Sequence, residues 1–432
     1  MTPPRRWHLT VVGTTTVLAG AVLLLVGAFA GRVDVAVLGA LPLLAGARDL
    51  LGRPAGAVDL ALGPADRPGG DGEVRATLRV EAPRGAVAVL VGLHREGLPG
   101  GEVLLAADEP RAVPLVVRTV RTGPIEVATV EAQGVGPGAL SVSDAVDPVT
   151  RTTLVLPAAA PLRDVPLPTR LRGLTGAHGS RRPGEGGDLR DVHAFAPGDR
   201  LRRIDWRVTA HRSPDLAELY VRGEHALAEA VVMLVVDSRD EVGPDPRTWA
   251  GLTATRPDDP TSLDVARQAA ASVARAFLRG GDRVGLDDLG VLRRPLPPGG
   301  GRGQLDRISH ALAVTRPEGA TRHRIRSPRL PSGALVVVFS TFLDDEAGRA
   351  AAAWRQIGHR VVAVDVLPDL RLDHLAGRDA VASRLVLVAR EDQLADLHDL
   401  GVEVVRWQGD PATALTALAR ADRRRPGAGV PR

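Results

Sequence analysis

The residues best suited to chemistry lie in one polar stretch, residues 184–212, with the sequence "GEGGDLRDVHAFAPGDRLRRIDWRVTAHR". His193 and His211, together with nearby aspartates, could form a metal site or a general acid–base site. The stretch is also rich in arginine, which pairs with carboxylates in a bidentate manner, so a network of ion pairs is the competing interpretation. The aspartates concerned are Asp188, Asp191, Asp199 and Asp205.

The spacing of these residues favours structure over catalysis. No pair matches a ligand motif such as H-E-x-x-H, and Ser213 stands before a proline without an oxyanion signature. We therefore interpret the stretch as a buried or half-buried ion-pair network with Trp206 as its apolar anchor and "PGD" as a turn. A metal-dependent or Arg/Asp-dependent hydrolase centred on residues 188–212 is the alternative. The predicted structural motif comprises Asp188, Arg190, Pro197, Gly198, Asp199, Arg203, Asp205, Trp206, Arg212 and Arg222.

Composition narrows the function classes. The chain has 432 residues, contains no cysteine, and carries a net charge of only +4. Disulfides, thiolate metal sites and cysteine nucleophiles are therefore excluded together. All of its basic residues other than histidine are arginine, and the arginines of the polar stretch alternate with acids. This balance predicts a protein that does not bind nucleic acid.

Two apolar runs open the chain. Residues 8–30 carry no Asp, Glu, Arg or Lys, and a helix of that length crosses a hydrocarbon core of about 30 Å. A second, shorter run extends from Val35 to Ala47. Arginines flank the pair at both ends, which predicts a helical hairpin with two spans and both termini in the cytoplasm. A cleaved signal peptide is the competing interpretation, because "AFA" at residues 28–30 resembles a cleavage site.

The remaining chain changes pattern twice. Residues 53–70 are rich in proline and glycine and indicate a linker, and short strands recur from about 71 to 157 with turns between them. This spacing predicts a small all-β sandwich. From residue 226 onward, apolar strands alternate with amphipathic helices. The alternation predicts a doubly wound α/β domain with a mostly parallel sheet.

The polar stretch, followed by "VVMLVVDS", resembles the bacterial DUF58 family. The resemblance rests on "PGD", "RIDW", the pair Ala210 and Arg212, and Arg222, which precede the first strand. It implies that a von Willebrand factor A-like domain follows, with two membrane segments and a β-rich part before it. The family has no settled biochemical function, but its members often stand beside MoxR-type AAA+ ATPases.

The resemblance also implies where a metal would bind. A complete A domain holds Mg²⁺ with Asp-x-Ser-x-Ser after the first strand and an aspartate after the fourth. Here the two serine positions are Arg239 and Glu241, and Thr341 stands in place of the second aspartate. An arginine repels a divalent cation and can neutralise Asp237 itself, so we expect a degenerate, metal-free crevice and no cofactor. The predicted crevice residues are Asp237, Ser238, Arg239, Glu241 and Thr341.

These observations predict a multi-domain chain. Its parts are a transmembrane hairpin (1–52), a linker and β-sandwich (53–160), the signature segment (161–225) and the A-like α/β domain (226–425). The expected function is a non-enzymatic adaptor in the cell membrane, with its soluble domains in the cytoplasm. Its expected partner, a MoxR-like AAA+ ATPase, follows from the family resemblance alone.

Overall fold

A computed structural model describes residues 7–54, 56–65, 72–172, 176–251, 253–291, 294–318 and 330–424. The chain divides into two compact units, residues 1–155 with 256–258, and residues 156–255 with 259–432. The first unit contains the strands and helices β1 (Trp7–Leu9), α1 (Val11–Phe29), α2 (Val33–Leu51), β2 (Asp59–Pro64), β3 (Glu73–Glu81), β4 (Ala88–Arg95), β5 (Leu98–Ala106), β6 (Arg111–Arg118), β7 (Gly123–Val135), β8 (Ser141–Ser143) and β9 (Val149–Val155).

Helices α1 and α2 pack against each other through glycines. A Cβ atom on Gly27 would lie 2.4 Å from the backbone nitrogen of Ala36, and one on Gly39 would lie 2.4 Å from that of Leu24. The backbones therefore approach too closely for any larger residue. By length and composition, α1 could cross a membrane, and it is the single such helix in the described part of the chain. The first apolar run begins as strand β1 and becomes helical only at Val11.

The rest of the first unit is a sandwich of two antiparallel sheets. One sheet has the order β1-β8-β7-β4-β5, with β9 also pairing with β7, and the other has the order β2-β3-β6. Alternate residues of β3, namely Ala76, Leu78 and Val80, are buried in a core shared with β4 and β7. The linker prediction for residues 53–70 is wrong in part, because this range includes β2, which pairs with β3.

The second unit contains most of the helical structure. Its strands and helices are β10 (His178–Ala194), α3 (Trp206–Arg212), β11 (Tyr220–Ala228), β12 (Val231–Val236), α4 (Ser262–Arg279), β13 (Arg283–Asp288), β14 (Leu296–Gly299), α5 (Arg302–Val314), β15 (Leu335–Ser340), α6 (Asp345–Gln356), β16 (Arg360–Asp365), α7 (Gly377–Asp399), β17 (Glu403–Arg406) and α8 (Pro411–Arg424).

A six-stranded sheet forms the centre of the second unit. Its order is β14-β13-β12-β15-β16-β17, in which β14 is antiparallel to β13 and the other strands are parallel. Every residue of β12, β15 and β16 is buried, as expected for strands covered on both faces. Helices α4, α5 and α8 pack on one face, and α6 and α7 pack on the other. The order in which the strands are added to the sheet reverses between β12 and β15, and such folds form a crevice at that point.

The polar stretch is more regular than its sequence suggests. Residues 178–194 form one long strand, β10, which pairs with β11 through several irregularities in register. Strand β11 continues across residue 226, where the sequence placed the start of the α/β domain. The sequence did not predict strand β10 because its glycines and charged residues do not alternate with apolar residues.

A half-buried ion pair anchors the start of β10. His178 Nε2 lies 3.0 Å from both carboxylate oxygens of Asp282, whose Oδ1 also accepts a hydrogen bond from the backbone of Ala230 at 2.8 Å. The hydrogen bond with Asp282 raises the pKa of His178, although partial burial opposes the shift. The charged histidine is therefore favoured in the folded state.

This pair predicts a pH-dependent contribution to stability. A histidine whose pKa is raised by folding stabilises the folded state. This contribution is complete at pH values below the pKa of the unfolded chain, about 6.5, and it is lost as the pH rises through the pKa of the folded state. His178→Gln is therefore expected to lower the free energy of unfolding more at about pH 5.5 than at about pH 9. Chemical unfolding at both pH values tests this. The exposed His211→Gln serves as the control, and an equal loss for His178→Gln at both values would contradict the assignment.

Candidate functional site

The candidate site is the crevice at the carboxyl ends of β12 and β15. Asp237 follows the last residue of β12, one position beyond the end of the strand, and its backbone N–H donates to Phe339 at 2.9 Å. Ser340, at the end of β15, donates its hydroxyl to Asp237 Oδ2 at 2.8 Å. Phe342 lies in the next loop with a left-handed φ of 52°, an uncommon conformation for a bulky residue. The loop then continues to Asp344, which faces the loop after β12.

Arg239 occupies the centre of this crevice. Its Nε and Nη2 donate to the two carboxylate oxygens of Asp237 at 2.8 and 2.7 Å. Nη1 and Nη2 donate to the two oxygens of Asp344 at 2.6 and 2.8 Å, and Nη1 also donates to Glu346 at 3.0 Å. The Arg239 side chain is only 2% exposed. The prediction that Arg239 pairs with Asp237 is confirmed.

The charges in the crevice support one another. Burial opposes the charge of Arg239, but hydrogen bonds with Asp344 and Asp237 outweigh it and raise the pKa of the guanidinium. Burial likewise disfavours the Asp344 carboxylate, yet Arg239 lowers its pKa overall. Asp240 behaves differently, because burial and the neighbouring carboxylates of Asp237 and Asp344 raise its pKa. The crevice thus contains one buried guanidinium shared by three carboxylates, beside a further carboxylate, Asp240, whose charged form is disfavoured.

The donor set does not fit a divalent cation. The guanidinium of Arg239 lies between the carboxylates that would have to coordinate the ion, and Mg²⁺ needs a near-octahedral set of oxygens. Within the described ranges, no three His, Asp or Glu side chains are grouped so that they could hold an ion. We therefore derive no chemistry through a metal at this crevice.

Two of the predicted crevice residues point elsewhere. Ser238 donates its hydroxyl to Asp288 at 2.6 Å, at the end of β13. Glu241 accepts from the Thr261 hydroxyl at 2.7 Å, at the start of α4. Both side chains therefore connect the loop after β12 to neighbouring elements of the unit. A complete metal site would instead require their oxygens to point into the crevice.

Thr341 leads to a second buried arginine that the sequence analysis missed. Arg390 Nε, from α7, donates to the Thr341 carbonyl at 2.6 Å. The Arg390 guanidinium also contacts Asp365 at the end of β16, and it lies 3.3 Å from Glu391. No local signal marked Arg390, because it lies in an ordinary helical pattern far along the chain. The acids Asp344 and Glu346, which pair with Arg239, were not among the predicted crevice residues either.

The signature residues lie on β10, on β11, on α3 and in the segment between β10 and α3, and their contacts differ from the predicted network. Arg190 pairs with the adjacent Asp191 at 3.0 Å. Arg203 donates to the Gly184 carbonyl at 3.0 Å and lies 3.2 Å from Glu185. Asp188 is exposed. Local neighbours and backbone groups thus replace most of the expected pairs.

The "PGD" residues form a turn that meets His193. Gly198 has a φ of 104°, which favours glycine, and Asp199 accepts from the backbone of Ala196 at 2.9 Å. Pro197 lies between Ala196 and Gly198 in this turn. His193 lies between two carboxylates, with Nδ1 3.2 Å from Asp191 and Nε2 3.2 Å from Asp199. Both ring nitrogens thus contact carboxylates of the same segment, which is the pattern expected of a structural network.

Helix α3 completes the signature. Asp205 is its N-cap and accepts from the backbone of Val208 at 3.0 Å. The guanidinium of Arg222 on β11 lies 3.9 Å from the Asp205 carboxylate, which is too far for a hydrogen bond. Arg212 lies over the ring of Tyr220, 5.3 Å from its centre, in a cation–π contact.

Trp206 is not a buried anchor, and this prediction is wrong. Its side chain lies at the first position of α3 and is 62% exposed. The buried residue of that helix is Thr209. Asp205 is turned inward as a cap, while the neighbouring indole faces away from the unit. The polar stretch therefore forms an exposed surface on an ordered strand pair.

Substitutions at these two neighbours are expected to differ in effect. Asp205→Ala should lower the free energy of unfolding by about 1 kcal/mol through loss of the helix cap. Trp206→Ala should change it by less than about 0.5 kcal/mol, because an exposed side chain contributes little to packing. Chemical unfolding of the two variants and the wild type measures both. A loss of several kcal/mol for Trp206→Ala would restore the buried-anchor interpretation.

Comparison with known proteins gives one family match. Residues 191–377 match the family described as "Protein of unknown function DUF58". The match begins within β10 and ends at the first residue of α7, so it covers both α3 and the crevice. It supports the resemblance drawn from the signature residues. No curated protein and no solved structure showed a significant match.

Proposed function

We propose that this protein, with its DUF58 match over residues 191–377, is a membrane-anchored adaptor that binds proteins through a von Willebrand factor A-like domain. One observation carries the proposal: the Arg239 guanidinium occupies the centre of the strand-end crevice and is held by three carboxylates. The crevice is thereby rigid and ordered without an ion. Such crevices are the usual binding positions of doubly wound sheets.

The strand order supports an A-like domain. Numbered along the unit from β12, the sheet has the order 3-2-1-4-5-6, with the third strand antiparallel at the edge. This is a doubly wound order with its switch point between the first and fourth strands. The crevice containing Asp237 and Asp344 lies at that switch point, so it is the surface where we place the partner.

Membrane anchoring rests on α1, which we propose as the first of two spans, with α2 as the second. The arginines before α1 and after α2 favour a cytoplasmic position for both flanks. A reporter inserted between Gly31 and Arg32 should then be active outside the cytoplasm, and one fused after Arg432 should be active inside. Equal behaviour of both reporters would contradict two spans, and a mature N-terminus at Gly31 would establish cleavage in place of anchoring.

The proposed partner is a MoxR-type AAA+ ATPase, on the strength of the family resemblance. We expect the full-length protein in lipid nanodiscs to bind the purified ATPase of the same organism. Asp345→Arg, an exposed change beside the crevice, should weaken binding at least about tenfold. Asp306→Arg, an equal charge change on the exposed part of α5, is the matched control and should have little effect.

The outcomes separate the parts of the proposal. If the ATPase does not bind the wild type, the partner assignment is wrong. If it binds and Asp345→Arg behaves like Asp306→Arg, the crevice is not the binding surface. Biolayer interferometry of the two variants and the wild type at one salt concentration gives the comparison.

A further inference from the structure

A second exposed surface lies on residues 200–207, which we call the 200–207 surface. It presents two large apolar side chains within one short stretch, Leu201 at 69% exposed and Trp206 at 62% exposed. Tryptophan and arginine are the residues most enriched at the energetic centres of protein interfaces. An exposed tryptophan flanked in the sequence by arginines therefore indicates a binding surface more than an ordinary solvated one.

The backbone that presents Trp206 is well ordered. The N–H of Asp205 donates to the Tyr220 carbonyl at 2.8 Å, and the Tyr220 N–H donates to the buried hydroxyl of Thr209 at 2.9 Å. Ile204 forms an isolated bridge with Val221 of β11. The backbone at the start of α3, which carries the indole, is thus held by β11, and less backbone entropy is lost when a partner covers this surface.

The charge around the two apolar side chains is unbalanced. Arg200, Arg202 and Arg203 all contact a single carboxylate, that of Glu185, with Arg202 at 3.1 Å and Arg203 at 3.2 Å. Arg207 is exposed and has no acidic partner among the residues that the structure describes. Three guanidinium groups sharing one carboxylate, with a fourth unpaired, leave an excess of positive charge at this position.

We infer that the 200–207 surface docks an acidic protein segment whose apolar side chains cover Trp206 and Leu201. Positive charge around an apolar centre is complementary to an acidic rim around an apolar recess. The inference deepens the proposed adaptor function, on which it rests for the choice of a protein as ligand. It adds a second surface, formed by the signature segment, to the crevice at the strand ends.

The test uses the full-length protein in nanodiscs of phosphatidylcholine and two defined peptides. The probe is an acidic amphipathic helical peptide of leucine and glutamate, about 15 residues long. The control is a basic peptide of the same length and pattern that carries lysine in place of glutamate. Fluorescence anisotropy of labelled peptide measures Kd. We expect the acidic peptide to bind, the basic peptide not to bind, and the affinity of the acidic peptide to fall as salt rises.

Variants assign the binding to this surface. Trp206→Ala and Arg202→Glu should each weaken binding of the acidic peptide at least about tenfold, and Trp206→Phe should restore most of it. Leu400→Ala, another exposed apolar position, and Arg279→Glu, an exposed arginine of α4, are the matched controls and should bind like wild type. The melting temperature of each variant is measured and compared with that of the wild type, so that unfolding is not mistaken for lost binding.

Several results would overturn the inference. They are the absence of binding by the acidic peptide, equal binding of both peptides, and wild-type affinity in Trp206→Ala. Tighter, Trp206-dependent binding of a single-stranded oligonucleotide would assign the surface to nucleic acid and equally reject the inference. Failure of the ATPase to bind would contradict the proposed partner alone, because the peptide measurements do not depend on it.

Discussion

Replacing Arg239 by serine is expected to lower the free energy of unfolding of the α/β unit by about 3–5 kcal/mol at neutral pH. The change removes the one cation that Asp237, Asp344 and Glu346 share, and the Asp237 carboxylate is almost completely buried. Removing one partner of a buried pair is costly because the remaining charges lose both solvent and counterion. Tryptophan fluorescence during chemical unfolding reports on this unit through the buried Trp354 and Trp407.

The same variant gives the sharpest test of the metal question. Arg239→Ser removes the guanidinium from between the carboxylates and places a hydroxyl among them. Mg²⁺ at about 10 mM should then raise the melting temperature, and a Kd of about 1 mM would return about 1.4 kcal/mol by mass action. The wild type should respond to neither Mg²⁺ nor EDTA.

Arg279→Ala is the control, since it removes an exposed arginine from α4 and should change stability by less than about 0.5 kcal/mol. If Mg²⁺ at millimolar concentration raised the melting temperature of the wild type, the explanation based on Arg239 would be wrong. Asp240, Glu241, Asp344 and Asp345 would then be the ligands to test. If Arg239→Ser unfolded like the wild type, the three carboxylates would not depend on the guanidinium.

Arg390→Ala is expected to destabilise the same unit by about 3–5 kcal/mol. The side chain is buried and connects the Thr341 carbonyl after β15 with the Asp365 carboxylate after β16. Its loss leaves Asp365 buried without its cation and releases the loop that positions Asp344. Binding of the proposed partner to the crevice should therefore weaken in this variant even at temperatures where it remains folded.

The control for this change lies on the same helix. Arg384, also on α7, is exposed, and Arg384→Ala should alter the free energy of unfolding by less than about 0.5 kcal/mol. Chemical unfolding of the two variants side by side removes any common effect of arginine on helix propensity. Similar losses in both variants would show that Arg390 contributes through the helix and not through the crevice.

Much of this protein could be predicted from local sequence. Continuous apolar runs such as Val231–Val236 and Leu335–Ser340 are buried on both faces of the sheet, and a run of that kind has few alternatives to a central parallel strand. The neutralisation of Asp237 was also predictable, because Arg239 lies two residues away and its guanidinium is always charged. Short-range chemistry of this kind needs no knowledge of the fold.

Only the tertiary structure decided which side chains meet and which face solvent. Arg390 reaches Thr341 across 49 residues, and Asp344 reaches Arg239 across 105, because the carboxyl ends of neighbouring parallel strands converge at one edge. The outward position of Trp206 was likewise undetermined by its neighbours. Its α3 is a single short helix whose inward face is set by a hydrogen bond from Tyr220 on β11, so Thr209 is buried and the indole is exposed. Local composition records how apolar a residue is, whereas long-range pairing determines the direction in which it points.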